Sequence, residues 1–304
     1  MSPVQFSAEP ALDAVQLIDH RTVTWNNVRH SCYWIHKRFH YTYPGPIREL
    51  QQRLVVIPPE QHGDQELSEC RAWVVGAQGQ ESTSVDQFGN QVLVFSVPEV
   101  RSSVTFEVTL RVKRARFPDV LPWLCDAEAA TFREPTPLTG SSRRIATVAS
   151  DLARQHHAPE ALADAINTWV WQAMRYVGGV TTVATSAADA LLLGRGLCQD
   201  YSHVMLAICR AAGLPARYVS GHLLGEGGSH AWVEVLLPAA QGGFVAVPFD
   251  PTNHRRANLS YITIAVGRDY RDVSPTSGTY IAPYQGRLTA SKRAGVTCVE
   301  YAAA

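Results

Sequence analysis

The stretch GRGLCQDYSHVMLAICRAAGLPARYVSG, residues 194–221, decides the fold of the second half of the chain. Glycines precede Cys198, and apolar residues follow it at helical spacing. This pattern predicts a helix of about 14 residues that begins at or just before Cys198 and ends before Gly213 and Pro215. A cysteine in this position is a nucleophile, a metal ligand or a buried thiol, and its partners must decide which.

Helical and strand-like segments surround this stretch. Two amphipathic helices are predicted before it, around 145–152 and 162–174, and a short helix capped by Ser186 leads into it. Helices followed by a meander predict an α+β domain. The strand-like runs of the meander lie at 216–224, 230–237 and 243–250.

The region from residue 31 to residue 112 has a β texture, with short runs rich in Val, Phe and Thr. The run 104–112 alternates apolar and other residues, which places its apolar side chains on one face of a strand. Turn signals such as Pro44-Gly45-Pro46 separate the runs. The sequence therefore predicts an N-terminal antiparallel β-sandwich.

These patterns divide the chain into four segments. Residues 1–30 are expected to form a leader, and 31–112 the β-sandwich domain. Residues 113–140 contain four prolines and are expected to be a linker, or a loop that lies on the second domain. Residues 141–304 form the α+β domain with a C-terminal extension.

Composition limits the classes of function. The 304 residues contain 27 Lys plus Arg and 27 Asp plus Glu, so the chain has no surplus of basic residues. Its charge therefore gives no indication of a nucleic-acid or membrane partner. The N-terminus lacks a signal-peptide pattern, and no apolar run is long enough to span a membrane, so a cytoplasmic protein is expected.

The six cysteines are scattered, with no C-x-x-C pair. This spacing indicates neither a structural zinc site nor a disulfide framework, and most of these cysteines are expected to be small buried side chains. A metal site drawn from Cys198, His203, His222 and His230 fits no familiar ligand spacing. Neither a metal nor a cofactor is expected.

A thiol nucleophile at Cys198 requires a base. His203 lies five residues along the same helix and points away from Cys198, so a structural role is expected. His230 opens a strand after a glycine-rich loop, where its side chain can reach a cleft. If strands 230–237 and 243–250 form a hairpin centred on position 240, His230 lies opposite Asp250, a suitable carboxylate to hold the imidazole.

The stretches GLCQDYSHVMLAICRAAGLPARYVSGHL, SHAWVEVLLP and FDPTN, in that order, resemble the bacterial transglutaminase-like family of the papain-like superfamily. The segments YTYPGPI and DQFGN resemble the β-sandwich domain of that family, and GRDYRDVSPTSGTY resembles its C-terminal segment. The resemblance runs from about Tyr33 to Val299. Phe244, where a tryptophan is common, and Val247-Pro248 depart from the family pattern.

The resemblance implies a papain-like core with a catalytic triad of Cys198, His230 and Asp250. It implies acyl transfer at amide bonds without calcium, with a peptide or protein as substrate. Hydrolysis of a peptide or isopeptide bond is the main expectation. A protein-glutamine transglutaminase and a non-catalytic binding scaffold are the alternatives.

Several other residues are candidates for supporting roles. Tyr176 is the candidate second donor to an oxyanion, beside the backbone N–H of Cys198. Gln199, with Asp200, is expected at the capped start of the helix. Trp232 either walls the cleft or packs, Asn253 supports the turn that holds Asp250, and His222 is the fallback base.

Overall fold

A computed structural model describes residues 4–6, 15–115 and 121–302. The remaining parts of the predicted leader and linker, 1–3, 7–14 and 116–120, lie outside the described residues, as do 303–304. None of the helices in the described ranges combines the length and the apolar character needed to cross a bilayer.

The first part of the chain is built of strands. One strand precedes two short 3₁₀ turns, at His20–Thr22 and Trp25–Asn27, and the other strands follow them. The strands are β1 (Val4–Phe6), β2 (Val28–Thr42), β3 (Ile47–Ile57), β4 (Gln61–His62), β5 (Gln65–Val75), β6 (Gln80–Val85), β7 (Gln91–Val100) and β8 (Ser103–Ala115).

The second part alternates helices and strands before it returns to strands alone. Its helices are α1 (Asp126–Thr131), α2 (Arg143–Gln155), α3 (Pro159–Ala173), α4 (Ala187–Leu193) and α5 (Cys198–Ala211). Its strands are β9 (Trp123–Leu124), β10 (Arg175–Tyr176), β11 (Arg195–Gly196), β12 (Ala216–Leu223), β13 (His230–Pro238), β14 (Phe244–Asp250), β15 (Arg255–Arg256), β16 (Tyr261–Gly267), β17 (Thr276–Ile281) and β18 (Arg287–Tyr301).

Two sheets form the predicted N-terminal sandwich. One has the strand order β1-β5-β8-β2-β18, with β4 beside β5, and the other has the order β17-β3-β7-β6. All pairs are antiparallel except β1 with β5. The rings of Phe95 and Phe106 meet between the sheets, with centroids 5.1 Å apart, and the alternating apolar residues of 104–112 are buried.

The end of the chain closes this sandwich. Strand β17 pairs with β3, and β18 pairs with β2 along almost its full length. The C-terminal extension of the predicted 141–304 segment therefore joins the N-terminal sheets. The segment 121–140 lies on the second domain, where β9 pairs with β14.

A third sheet, of order β15-β14-β13-β12-β16 with β9 beside β14, carries the helices of the α+β core. Helix α5 is buried along most of its length and packs against β12 and β13, with α2, α3 and α4 around it. Its end at Ala211, followed by Gly213 with a φ of 84°, agrees with the prediction. The α+β architecture and the preceding sandwich are thus both confirmed.

The register predicted for the β13–β14 hairpin is wrong by two residues. Val233 pairs with Phe249, which places Asp250 opposite Trp232 instead of His230. The register differs because the turn lies one residue later than predicted: it spans 239–243, between Pro238 and Phe244, and Gly242 and Gly243 adopt positive φ values of 87° and 69° in it. A shift of two residues keeps every side chain on its original face, so Asp250 and His230 remain diagonal neighbours.

Side-chain amides of the sandwich bind the backbone of β16. Gln65 donates to the Thr263 carbonyl at 2.8 Å and accepts from the Thr263 N–H at 2.9 Å. Asn90 makes the same pair of bonds to Val266, both at 2.8 Å. These amides satisfy backbone groups that an edge strand would otherwise leave unpaired.

A buried ion cluster also joins the sandwich to this sheet. Glu234 on β13 accepts from Arg217 at 2.6 Å and lies 2.9 Å from Nε2 of His62 on β4. Burial raises the pKa of the Glu234 carboxyl, but Arg217 and His62 together lower it to about 2. The charged form of Glu234 is therefore part of the folded state.

Replacement of Glu234 by Gln should destabilise the protein by about 3–5 kcal/mol, because Arg217 is left buried without its partner. The matched control is Glu160→Gln, whose carboxylate is 58% exposed beside Arg256 and which should cost about 1 kcal/mol or less. Urea unfolding followed by circular dichroism measures both, and equal losses would contradict the assignment.

The Glu234 carboxylate should also make the stability of the folded protein sensitive to acid. Its folded pKa of about 2 lies below the ordinary value of 4.5, so its stabilising contribution is complete above pH 4.5. We expect this contribution to disappear as the pH falls from 4.5 towards 2, and the Glu234→Gln variant to lose less stability over that range than the parent protein.

Candidate active site

Cys198 lies at the first position of α5, half-buried at the N-terminus of the helix. Its backbone N–H is one of those for which a helix provides no internal acceptor. Gly194 ends α4 with a φ of 61°, and a side chain at Gly196 would collide with Asp200. The glycines of this corner are therefore required by the path of the chain into the helix.

Asp200 fixes the start of α5. One carboxylate oxygen accepts from the Leu197 N–H and from the Thr181 hydroxyl, both at 2.7 Å. The predicted capping of this helix start is thus made by Asp200. Gln199 is half-buried at the next position of the helix from Cys198.

His230 and Asp250 form a buried hydrogen-bonded pair. Nε2 of the imidazole lies 2.8 Å from Oδ2 of Asp250, and the two residues are 2% and 0% exposed. The Cys198 thiol lies near enough to the same imidazole to contribute to raising its pKa. Because Asp250 occupies Nε2, the other ring nitrogen, Nδ1, is the one that faces the thiol.

Four further donors hold the Asp250 carboxylate. Oδ1 accepts from the backbone N–H groups of Thr252 at 2.9 Å and Asn253 at 3.2 Å. Oδ2 accepts from the Asn253 side-chain amide at 2.7 Å and from the Tyr261 hydroxyl at 2.6 Å. Burial raises the pKa of Asp250, but His230, Asn253 and Tyr261 lower it overall, so the carboxylate stays ionised.

A second carboxylate lies at the other side of the imidazole. Oε2 of Glu226 is 3.1 Å from Nδ1 of His230, without the alignment of a full hydrogen bond. The Glu226 side chain is 39% exposed. Burial lowers the pKa of His230, but Asp250, Cys198 and Glu226 raise it to about 11. The ring is therefore held as an imidazolium beside Cys198.

The loop that carries Glu226 is held on two sides. The Lys292 ammonium on β18 donates to the carbonyl of Gly228. Gly225, with a φ of 90°, lies so close to the His20 ring that a Cβ would approach it to 2.9 Å. The position of Glu226 therefore depends on both ends of the described chain.

The aromatic candidates occupy different places. Trp232 is fully buried. Its ring stacks on His230 and meets Tyr261 edge-on, with ring centroids 6.2 Å and 5.3 Å apart, so it packs behind the His230–Asp250 pair. Tyr176 is 59% exposed. Tyr176 pairs with Gly196, two residues before Cys198, and burial, Cys198 and Glu226 raise the pKa of its hydroxyl. Its role at an oxyanion stays a prediction.

The two alternative histidines lie apart from this arrangement. His203 is buried on α5 and accepts from the Tyr270 N–H at 3.2 Å, as expected for a structural residue. His222 is buried on β12 in a small cavity with Lys292, and His230 makes the contact to Cys198 instead. Within the described residues, no three His, Cys, Asp or Glu side chains converge as a metal site.

Sequence reasoning missed Glu226 and Tyr261. Glu226 lies in GEGG, whose composition is typical of a mobile loop, and distant residues, His20 and Lys292 of β18, hold that loop in place. Tyr261 begins an apolar strand that is buried along its length. In the sequence of that strand start, only its hydroxyl group indicates a buried polar contact.

Two family models match the chain. A transglutaminase-like superfamily model covers residues 146–251, which include Cys198, His230 and Asp250. A model of the bacterial transglutaminase-like N-terminal region covers residues 33–113. The chain belongs to the bacterial transglutaminase-like family. The first model corresponds to the helices and third sheet described above, and the second to strands of the sandwich.

Relatives and a solved structure agree with this membership. An uncharacterized Mycobacterium leprae protein is 39% identical to this chain over 48% of its residues. The matched part of the chain spans about half (54%) of that relative's length. An uncharacterized Mycobacterium bovis protein is 32% identical over 66% of this chain and 73% of its own. The structure of a candidate cysteine protease from Cytophaga hutchinsonii is 20% identical, with a TM-score of 0.73 over 90% of this chain and 93% of that chain, and so has the same fold.

Replacement of Glu226 by Gln should lower the pKa of His230 by about one unit. A carboxylate this close raises a neighbouring pKa by about 1–3 units, and its partial exposure favours the lower figure. A titration of ¹⁵N-labelled histidine rings by NMR measures the change. The control is Glu99→Gln, an exposed residue of β7, which should leave the titration unchanged.

The direction is fixed by charge: the variant ring should lose its proton at a lower pH than the parent ring. One molar salt should reduce the difference between the two proteins, because screening acts over about 3 Å at that concentration. Identical titrations of His230 in the parent and Glu226→Gln proteins would show that this carboxylate does not act on the ring.

Proposed function

We propose that this protein is a cysteine-dependent amide hydrolase that cleaves a peptide or isopeptide bond. One observation carries the proposal: the buried His230 imidazole is bonded to Asp250 through Nε2 and presents Nδ1 to Cys198 at the tip of α5. Membership of the transglutaminase-like family supports the same chemistry, acyl transfer at an amide bond.

The first half of the proposed reaction forms a thioester. The Cys198 thiolate attacks the amide carbonyl carbon, and the backbone N–H of Cys198 donates to the oxygen as negative charge develops there. The carbon–nitrogen bond then breaks, and the imidazolium of His230 gives its Nδ1 proton to the leaving amine. Asp250 keeps the ring oriented and its positive charge balanced.

The second half restores the enzyme. Neutral His230 takes a proton from a water molecule, whose oxygen attacks the thioester carbon. The carbon–sulfur bond breaks, the carboxylic acid product leaves, and the thiolate and imidazolium are regenerated. An amine in place of water gives the transglutaminase alternative, in which the products contain a new amide bond.

The substrate class follows from the position of the thiol. Cys198 is half-buried and close to the exposed Tyr176, so an extended segment of polypeptide can reach it from solvent. A peptide or protein is therefore the proposed substrate.

Iodoacetamide should label Cys198 faster than the other five thiols, and His230→Ala should slow this labelling by roughly tenfold or more, because the thiolate loses its counter-ion. The control is His157→Ala, an exposed residue after α2. Mass spectrometry of the alkylated peptides gives the rates. Equal labelling of all accessible cysteines would contradict the proposal.

Digestion of a peptide library by the parent protein, with Cys198→Ala as the blank, should yield new termini or released side-chain amines. A parallel reaction with a primary amine separates the alternatives. Preferential incorporation of the amine into glutamine peptides would favour the transglutaminase. A failure of both reactions, together with unselective labelling, would favour a non-catalytic scaffold.

A further inference from the structure

Two of the six cysteines face each other across neighbouring strands. Cys32 on β2 is paired in register with Cys298 on β18, and the Cys298 thiol contributes to raising the pKa of Cys32. Both are free thiols and half-buried. Local sequence pattern does not predict this pair, because the residues stand near opposite ends of the chain.

The geometry of the strands suits a covalent bond between these sulfurs. Directly opposed residues of antiparallel strands have Cβ atoms about 4.5–5.5 Å apart, and a disulfide requires about 3.5–4.5 Å. A bulge at Thr297 interrupts the ladder beside the pair, and the Thr297 hydroxyl donates to the Cys32 carbonyl at 3.3 Å. The small approach needed is of the size that a bulged strand accommodates.

The other cysteines lack such a neighbour in register. Cys70 and Cys209 are fully buried, as expected for small core side chains. Cys125 precedes α1 and Cys198 begins α5, so neither lies on a strand beside another cysteine.

We propose that Cys32 and Cys298 are a disulfide-forming pair, a site of oxidative modification that ties strand β18 to strand β2. The site is separate from Cys198 and does not rest on the proposed hydrolase function.

The oxidant is a small disulfide such as oxidised glutathione. Burial and the neighbouring Cys298 thiol raise the pKa of Cys32 to about 11, which disfavours Cys32 as the first nucleophile. In the proposed order Cys298 reacts first. Its thiolate attacks one glutathione sulfur and releases one glutathione thiolate. Cys32, having lost its proton, then attacks the Cys298 sulfur and releases the second glutathione. Two protein thiols are oxidised, and one small disulfide is reduced to two thiols.

The bond would restrain a strand that supports the candidate active site. Strand β18 also carries Lys292, which donates to the Gly228 carbonyl in the loop of Glu226. Almost the whole chain lies between positions 32 and 298, so the bond removes much conformational freedom from the unfolded state. Oxidation is therefore expected to stabilise the folded protein.

To test the inference, the folded protein is oxidised with excess oxidised glutathione at pH 8. The protein used carries Cys198→Ala, so that Cys198 cannot take part in thiol–disulfide exchange. Free thiols are then alkylated and the protein is digested without reduction. The expected product is a peptide pair joined through Cys32 and Cys298, with the loss of two hydrogen atoms, and dithiothreitol should reverse the linkage.

The melting temperatures of the oxidised and reduced proteins provide a second measurement. The oxidised protein should melt roughly 5–10 °C above its reduced form. Cys298→Ser, which keeps the size and a polar hydrogen at that position, should give neither the linked peptide nor the redox-dependent shift.

Three results would overturn the inference: separate alkylation of Cys32 and Cys298 after oxidation, stable glutathione adducts on either one, or linkage only between different molecules. A linked protein that melts no higher than the reduced form would also overturn it, because the folded strands would then not accommodate the bond. None of these results bears on Cys198, so the hydrolase proposal is tested independently.

Discussion

The hydrogen bond between His230 and Asp250 is the interaction on which the candidate site depends. A buried carboxylate and a buried imidazole are tolerated only when each satisfies the other and its remaining polar atoms find partners. Asn253 and Tyr261 complete that set for Asp250. The turn after β14 and the start of β16 must both be in place before the ring can present Nδ1 to Cys198, so the chemistry of the thiol rests on the correct folding of the whole third sheet.

The sandwich takes part in this requirement. Gln65 and Asn90 bind the backbone of β16 through paired hydrogen bonds, and Glu234 places a buried negative charge between Arg217 of the third sheet and His62 of the sandwich. Each contact joins an N-terminal strand to the sheet that carries His230. The N-terminal domain therefore acts as a support for the site, because it fixes the edge strand from which Tyr261 reaches Asp250.

Much of this arrangement follows from the sequence, and the remainder depends on contacts that local pattern does not encode. Periodicity and the flanking glycines predict α5 with Cys198 at its tip. Strand-like apolar runs predict the strands of His230 and Asp250. The face of these residues survives a register error of two residues because side-chain direction has a period of two. The error itself arises at the turn, which lies one residue later than predicted and includes Gly243 at a positive φ. Glu226 was not predictable, since a strand almost at the end of the chain holds its loop.

The return of β18 to the first sheet has a consequence for synthesis on the ribosome. Domains generally begin to fold as their residues emerge, and contacts between distant parts of a chain form late. Strand β2 can pair with β8 early, but its other edge must wait for β18, which emerges after Cys198, His230 and Asp250 have all left the exit tunnel. The loop of Glu226 gains its Lys292 anchor at the same late moment. The nascent protein would thus carry its thiol in an unfinished setting, and a reactive centre would be completed only when the last strand is added.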